Sequence, residues 1–81
     1  MRDITHKYKK MVAGKEFNIF EGSRGEMRKL GRKWMKDNKF HEVISFPLEE
    51  SVGDVVVFEG AKNRDFLVEH GVKHLRGEHH E

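Results

Sequence analysis

Six cations between Arg28 and Lys39 recur at three- and four-residue steps: Arg28, Lys29, Arg32, Lys33, Lys36 and Lys39. On a helix they form two adjacent rows with about one positive group per turn and no acid on that arc. Phosphate groups along a nucleic-acid strand are the natural complement of such a face. Each phosphate neutralised releases a condensed counterion, so binding of this kind depends on salt. Arg24 just upstream, and Lys7, Lys9 and Lys10 in a separate basic segment, extend the candidate nucleic-acid-binding set. The Gly22-Ser23-Arg24-Gly25 stretch at the expected helix start could hold an anion on its free amides, beside Arg24 and Arg28.

The other chemistry-bearing residues form no complete set. His70 and His74 stand four apart, with His79 and His80 beyond. On a continuous helix the first pair could chelate a metal, but Gly71 and Val72 read as an interruption, and no cysteine or carboxylate completes the ligands. Ser23, Ser45 and Ser51 lie in no nucleophile motif, and the glycines form no phosphate-binding loop. The absence of cysteine removes disulfides and thiolate chemistry. The expectation is therefore a binding protein, not an enzyme, with no cofactor and no metal.

Composition agrees with that class. The 81 residues are 36% hydrophobic and 37% charged, enough for one small domain with a shallow core. The net charge of +2 conceals a segregation. Residues 1–40 carry twelve Lys and Arg against five acids, a balance of +7, and residues 41–81 carry four against nine, a balance of −5. Such asymmetry bears on partners and steering. No apolar run approaches the roughly 18 residues that span a bilayer, and the N-terminus lacks the apolar core of a signal peptide. A cytoplasmic location with no membrane partner is expected. The alternative to nucleic acid is an acidic protein surface, bound by a small modulator through its charged faces.

Several elements must position the cations. Ile4, Tyr8, Met11 and Val12 have helical spacing, so residues 1–14 read as a basic N-terminal helix or arm. Glu16 to Phe20 alternates like a strand. Ser23 and Glu26 make a capping box that starts a helix running toward Lys39, with Asn38 near its end. Met27, Leu30, Trp34 and Met35 share the arc opposite the cations and are expected in the core, with Gly31 permitting close approach to a sheet. That placement makes Tyr8, among its lysines, the better surface ring, ahead of Phe17, Phe20 and Phe40.

Phe40 to Phe46 reads as a strand closed by Pro47, followed by a turn over 49–53. Asp54 to Glu59 is the strongest strand signal, apolar on both faces and expected at the sheet centre. Asn63 to His70 reads either as a short helix stopped by Gly71 or, over Phe66 to Val68, as the return strand of a hairpin across Gly60 to Asp65; the helix is preferred, with a brief strand over Val72 to Leu75 and a frayed tail over 77–81. The fold expected is a small α+β domain over residues 1–81, with three to four strands, one main amphipathic helix on the sheet, and short N- and C-terminal helices.

Two patterns remain. Ile19-Phe20-Glu21-Gly22 recurs as Val57-Phe58-Glu59-Gly60, each before a segment of helical spacing, as two strand-turn-helix units on one sheet would require. The run VVVFEGAKNRDFLVEHGV also resembles the opening of a Toprim domain, where a strand ends in a Glu-Gly pair and the Glu, here Glu59, serves metal-dependent chemistry on phosphates. The later Asp-x-Asp of that family has no counterpart here, and without those carboxylates a metal ion is not held for catalysis.

Overall fold

The computed structural model describes residues 1–12, 14–37, 39–49 and 52–77. It is an α+β fold with a four-stranded sheet. Strand β1 (Arg2–Asp3) leads to a 3-10 turn (Thr5–Tyr8), then β2 (Glu16–Gly22), helix α1 (Arg24–Leu30), a π turn (Gly31–Met35), β3 (Val43–Glu49), β4 (Val52–Phe58) and α2 (Arg64–Leu75). The sheet order is β1-β2-β4-β3. β2 and β4 run parallel in the middle, and β1 and β3 are antiparallel edges. The apolar run of β4 thus lies between two strands, as its composition demands: Val55, Val56 and Val57 are all buried.

Alternation along the strands divides the core into two layers. Phe17, Ile19, Val55 and Val57 face Val68, Val72 and Leu75 of α2, joined there by Ile4, Tyr8 and Val12 from the N-terminal segment. Val56 and Ile44 point to the other face and meet Met27 of α1, with Phe20, Leu30, Phe40, Phe46 and Phe58 around them. The sheet is sandwiched between α2 with the N-terminal segment on one side and α1 on the other. The longest helix is α2, not the basic amphipathic segment.

Expectations for four segments are corrected. The N-terminal helix shrinks to a 3-10 turn, although its apolar spacing is used: Ile4, Tyr8 and Val12 are buried. β3 begins at Val43 and runs through Pro47 to Glu49, because an edge strand tolerates a residue without N–H; its register slips between Pro47 and Glu49. α2 passes through Gly71 to Leu75, so no strand forms at Val72 to Leu75. Gly71 marks a close approach of helix to sheet, not a stop. The fourth concerns the basic helix, described below. Asn38, Glu50, Ser51 and the tail with His79 and His80 lie outside the described residues.

The echoed Glu-Gly ends also take a definite form. β2 leads into α1 and β4 into α2, with the two strands parallel, but the helices pack on opposite faces. The strands pair Ile19 with Val55, two residues out of step with the sequence echo. The two units are therefore not superposable repeats.

Gly25, inside α1, has open space where a β-carbon would sit. Gly25→Ala is expected to raise stability by about 0.5–1 kcal/mol, read as a higher midpoint in urea unfolding, since alanine loses less backbone entropy on entering a helix.

Candidate nucleic-acid interface

Helix α1 starts where the capping box places it. The Ser23 hydroxyl accepts from Glu26 N at 3.2 Å, and Glu26 Oε1 accepts from Ser23 N at 3.0 Å. This reciprocal capping occupies two amides of the helix start, those of Ser23 and Glu26, and it adds a carboxylate there. The helix is also short, ending at Leu30.

Beyond Leu30 the backbone widens into a five-residue π turn, and Lys36, with φ of 54°, closes it in the left-handed region. Gly31 is buried under the returning chain; a β-carbon there would lie 3.3 Å from the His41 ring and 3.4 Å from the Lys39 carbonyl. The wider turn rotates every later side chain out of the α-helical phase set by Met27. Trp34 and Met35, expected in the core, are 56% and 49% exposed. This is the fourth correction, and it places an indole among the cations.

Arg24, Arg28, Lys29, Arg32, Lys33, Lys36 and Lys39 are all exposed. Among the described residues none of the seven makes an ion pair. The acids nearest in sequence are engaged elsewhere: Glu26 with the amino group of Met1 at 2.7 Å, and Asp37 with His41 Nε2 at 3.0 Å. The His41 hydrogen bond, more than any other contact, holds the Asp37 carboxyl below its usual range. Arg24 lies over two rings, 5.0 Å from the centroid of Phe40 and 5.4 Å from that of Phe58, which meet edge to face at 5.1 Å. Those two cation–π contacts hold the guanidinium beside the ring pair. Lys33 Nζ sits 5.6 Å from the Trp34 ring centroid.

Lys7, Lys9 and Lys10 are exposed too, but they are not brought to the others. Their segment buries Tyr8 and Val12 in the α2 layer, so it lies over the opposite face of the sheet from α1. Tyr8 is no surface ring: it is 7% exposed, and its hydroxyl donates to Asp65 Oδ1 at 2.8 Å. Burial, reinforced by that carboxylate, pushes the phenol above its ordinary value.

Next to the π turn the sheet face is left partly uncovered. A groove of about 630 Å³ has Phe20, Ile44, Phe46 and Val56 along the sheet, with Trp34 and Leu48 among its other lining residues. Trp34 meets Phe46 edge to face at 5.5 Å. Asp54, which also lines the groove, accepts from Asn18 Nδ2 at 3.2 Å.

Sequence reasoning missed one charged cluster. Glu21, only 5% exposed, accepts hydrogen bonds from Arg2 of β1 and Arg64 of α2. Burial alone would raise its pKa, yet the two guanidiniums outweigh that and hold it low. The signal was available, since Glu21 continues the inward series Phe17, Ile19 at two-residue steps.

His70 and His74 do lie on one continuous helix, with Nε2 atoms 2.9 Å apart. No group of three or more metal-ligating side chains occurs among the described residues. No helix among them is long and apolar enough to cross a membrane. No family model, curated protein or solved structure matches the chain.

Proposed function

We propose that this protein is a non-catalytic nucleic-acid-binding domain acting in the cytoplasm, and that it grips the phosphate backbone with α1 and the π turn. One observation carries the reading: seven exposed cations, Arg24 to Lys39, on one short segment with no ion-pair partner among the described residues. Unpaired surface cations at such density repel one another, and a polyanion relieves that repulsion. Arg28, Lys29, Arg32, Lys33 and Lys36 supply the affinity. Arg24, in cation–π contact with Phe40 and Phe58, and Lys39 bound the patch. Lys7, Lys9 and Lys10, over the other face, add long-range attraction rather than contacts in the same footprint.

The second reading is a small modulator that sets the same cations on an acidic protein surface. The test is fluorescence anisotropy of labelled oligonucleotides at low salt, with wild type and the Arg28→Glu, Arg32→Glu variant. Wild type is expected to bind, and the variant to bind on the order of tenfold more weakly or worse, since it loses two phosphate contacts and gains repulsion. Equal binding by the variant, or none by either protein, removes the nucleic-acid reading and leaves the protein partner.

A further inference from the structure

We infer that the strand bound is single, and that an unpaired base stacks on Trp34 at the mouth of the groove between the π turn and the sheet. This deepens the proposed function and rests on it. A phosphate-only reading needs nothing from an indole, yet the π turn turns Trp34 outward beside Lys33, with Arg32 and Lys36 exposed on either side in sequence. Exposing so large an apolar ring costs solvation free energy that burial on the sheet would have recovered.

The charge arrangement selects the occupant. The groove is lined mainly by apolar side chains. Its acid, Asp54, is tied to Asn18. Cations stand along the segment that carries Trp34, with Lys33 Nζ 5.6 Å from its ring. An apolar cleft beside positive charge complements a molecule with flat apolar faces strung on a negative backbone. In a duplex those faces are stacked inside and unavailable; in a single strand each base can be turned out onto an aromatic ring. Phosphates then lie toward Arg32, Lys33 and Lys36 while a base covers the indole. Stacking of this kind tolerates any base, so little sequence preference is expected.

Trp34 is the chain's one tryptophan, so its own fluorescence reports the contact. The experiment titrates the full chain with oligothymidylate of about 12 nucleotides, and separately with a duplex of equal length, at low salt. Quenching is expected with the single strand and not with the duplex. Anisotropy of a labelled oligothymidylate then compares variants. Trp34→Ala is expected to bind roughly 5- to 150-fold more weakly, and Trp34→Phe, which keeps a ring, to retain most of the affinity. Circular dichroism melts confirm that both variants fold; if Trp34→Ala does not, the quenching and the Trp34→Phe comparison still decide. Binding of both nucleic acids with no quenching, or a folded Trp34→Ala that binds like wild type, overturns the stacking and leaves the phosphate contacts standing. Failure of both nucleic acids to bind overturns the stacking and the phosphate reading together.

Discussion

Replacing Gly71 by leucine is expected to cost about 3 kcal/mol of folding stability, and even Gly71→Ala is expected to destabilise. The second half is the sharper test. In the middle of a helix, glycine to alanine ordinarily gains about 1 kcal/mol, so a loss reverses the usual sign. The reversal follows from packing. A β-carbon at position 71 would lie 2.8 Å from Val55 Cγ1, 3.2 Å from Val55 Cγ2 and 3.0 Å from Ser45 Oγ. Val55 is fully buried at the sheet centre and stiff at its branched carbon, so it cannot move aside without disturbing Ile19, its partner on β2. The Ser45 hydroxyl also donates to the Gly71 carbonyl at 3.3 Å, a bond that displacing α2 would break. Urea unfolding of the two variants beside Gly25→Ala gives the comparison. A gain in stability for Gly71→Ala would mean that α2 does not press on β3 and β4 as described.

Removing Glu21 is the second large effect. Its carboxylate joins three elements: β2, which carries it, β1 through Arg2, and the first turn of α2 through Arg64. Loss of one partner from a buried ion pair costs about 3–5 kcal/mol, because the charges left behind stay poorly solvated. Arg2 is 69% exposed and Arg64 33%, so water recovers part of that penalty, and Glu21→Ala is expected near the lower end, about 3 kcal/mol. Glu21→Gln keeps the shape and should cost less.

The same group sets a pH dependence. Its folded pKa is lowered relative to the unfolded chain, so its stabilisation is present above the ordinary glutamate value and is lost as pH falls through the folded value. Stability of the wild type should therefore drop on acidification below about pH 4.3, and Glu21→Gln should drop less steeply. Glu26, held at about 2 chiefly by the Met1 amino group, and Asp37 and Asp3, also held low, add slopes of the same sign that survive in the variant. Parallel acid titrations of the two proteins would contradict the assignment of the cluster.

How much of this was legible in the sequence varies by the range of the interaction. The capping box at Ser23 and Glu26, the alternation of Glu16 to Phe20 and the apolar run of β4 are local signals, and all three are realised. Gly71 misled because glycine reads identically whether it ends a helix or lets one approach a sheet; only Val55 on the distant strand distinguishes the two. Pro47 misled in the same way, since its tolerance depends on β3 being an edge.

The cations of the candidate site were legible one by one, as all ten are exposed. Their grouping was not. The placement of Lys7, Lys9 and Lys10 on the far face follows from where Tyr8 and Val12 pack, which no local pattern states. The exchange of roles between Tyr8 and Trp34 has a similar origin. A constant 100° per residue assigns Trp34 to the buried arc, but the π turn at Gly31 breaks that constancy. Tyr8, surrounded by lysines in sequence, is drawn inward by Asp65 on α2.

The central claim is that the cations of α1 and the π turn neutralise phosphates, and the salt dependence of binding tests it most directly. With about four phosphates contacted on a single strand, at about 0.7 counterion each, log K should fall against log salt with a slope of about −2.8. The Arg28→Glu, Arg32→Glu variant should show a slope shallower by about 1.4, because two contacts are gone. A slope near zero for the wild type, or the same slope for both proteins, would contradict the account.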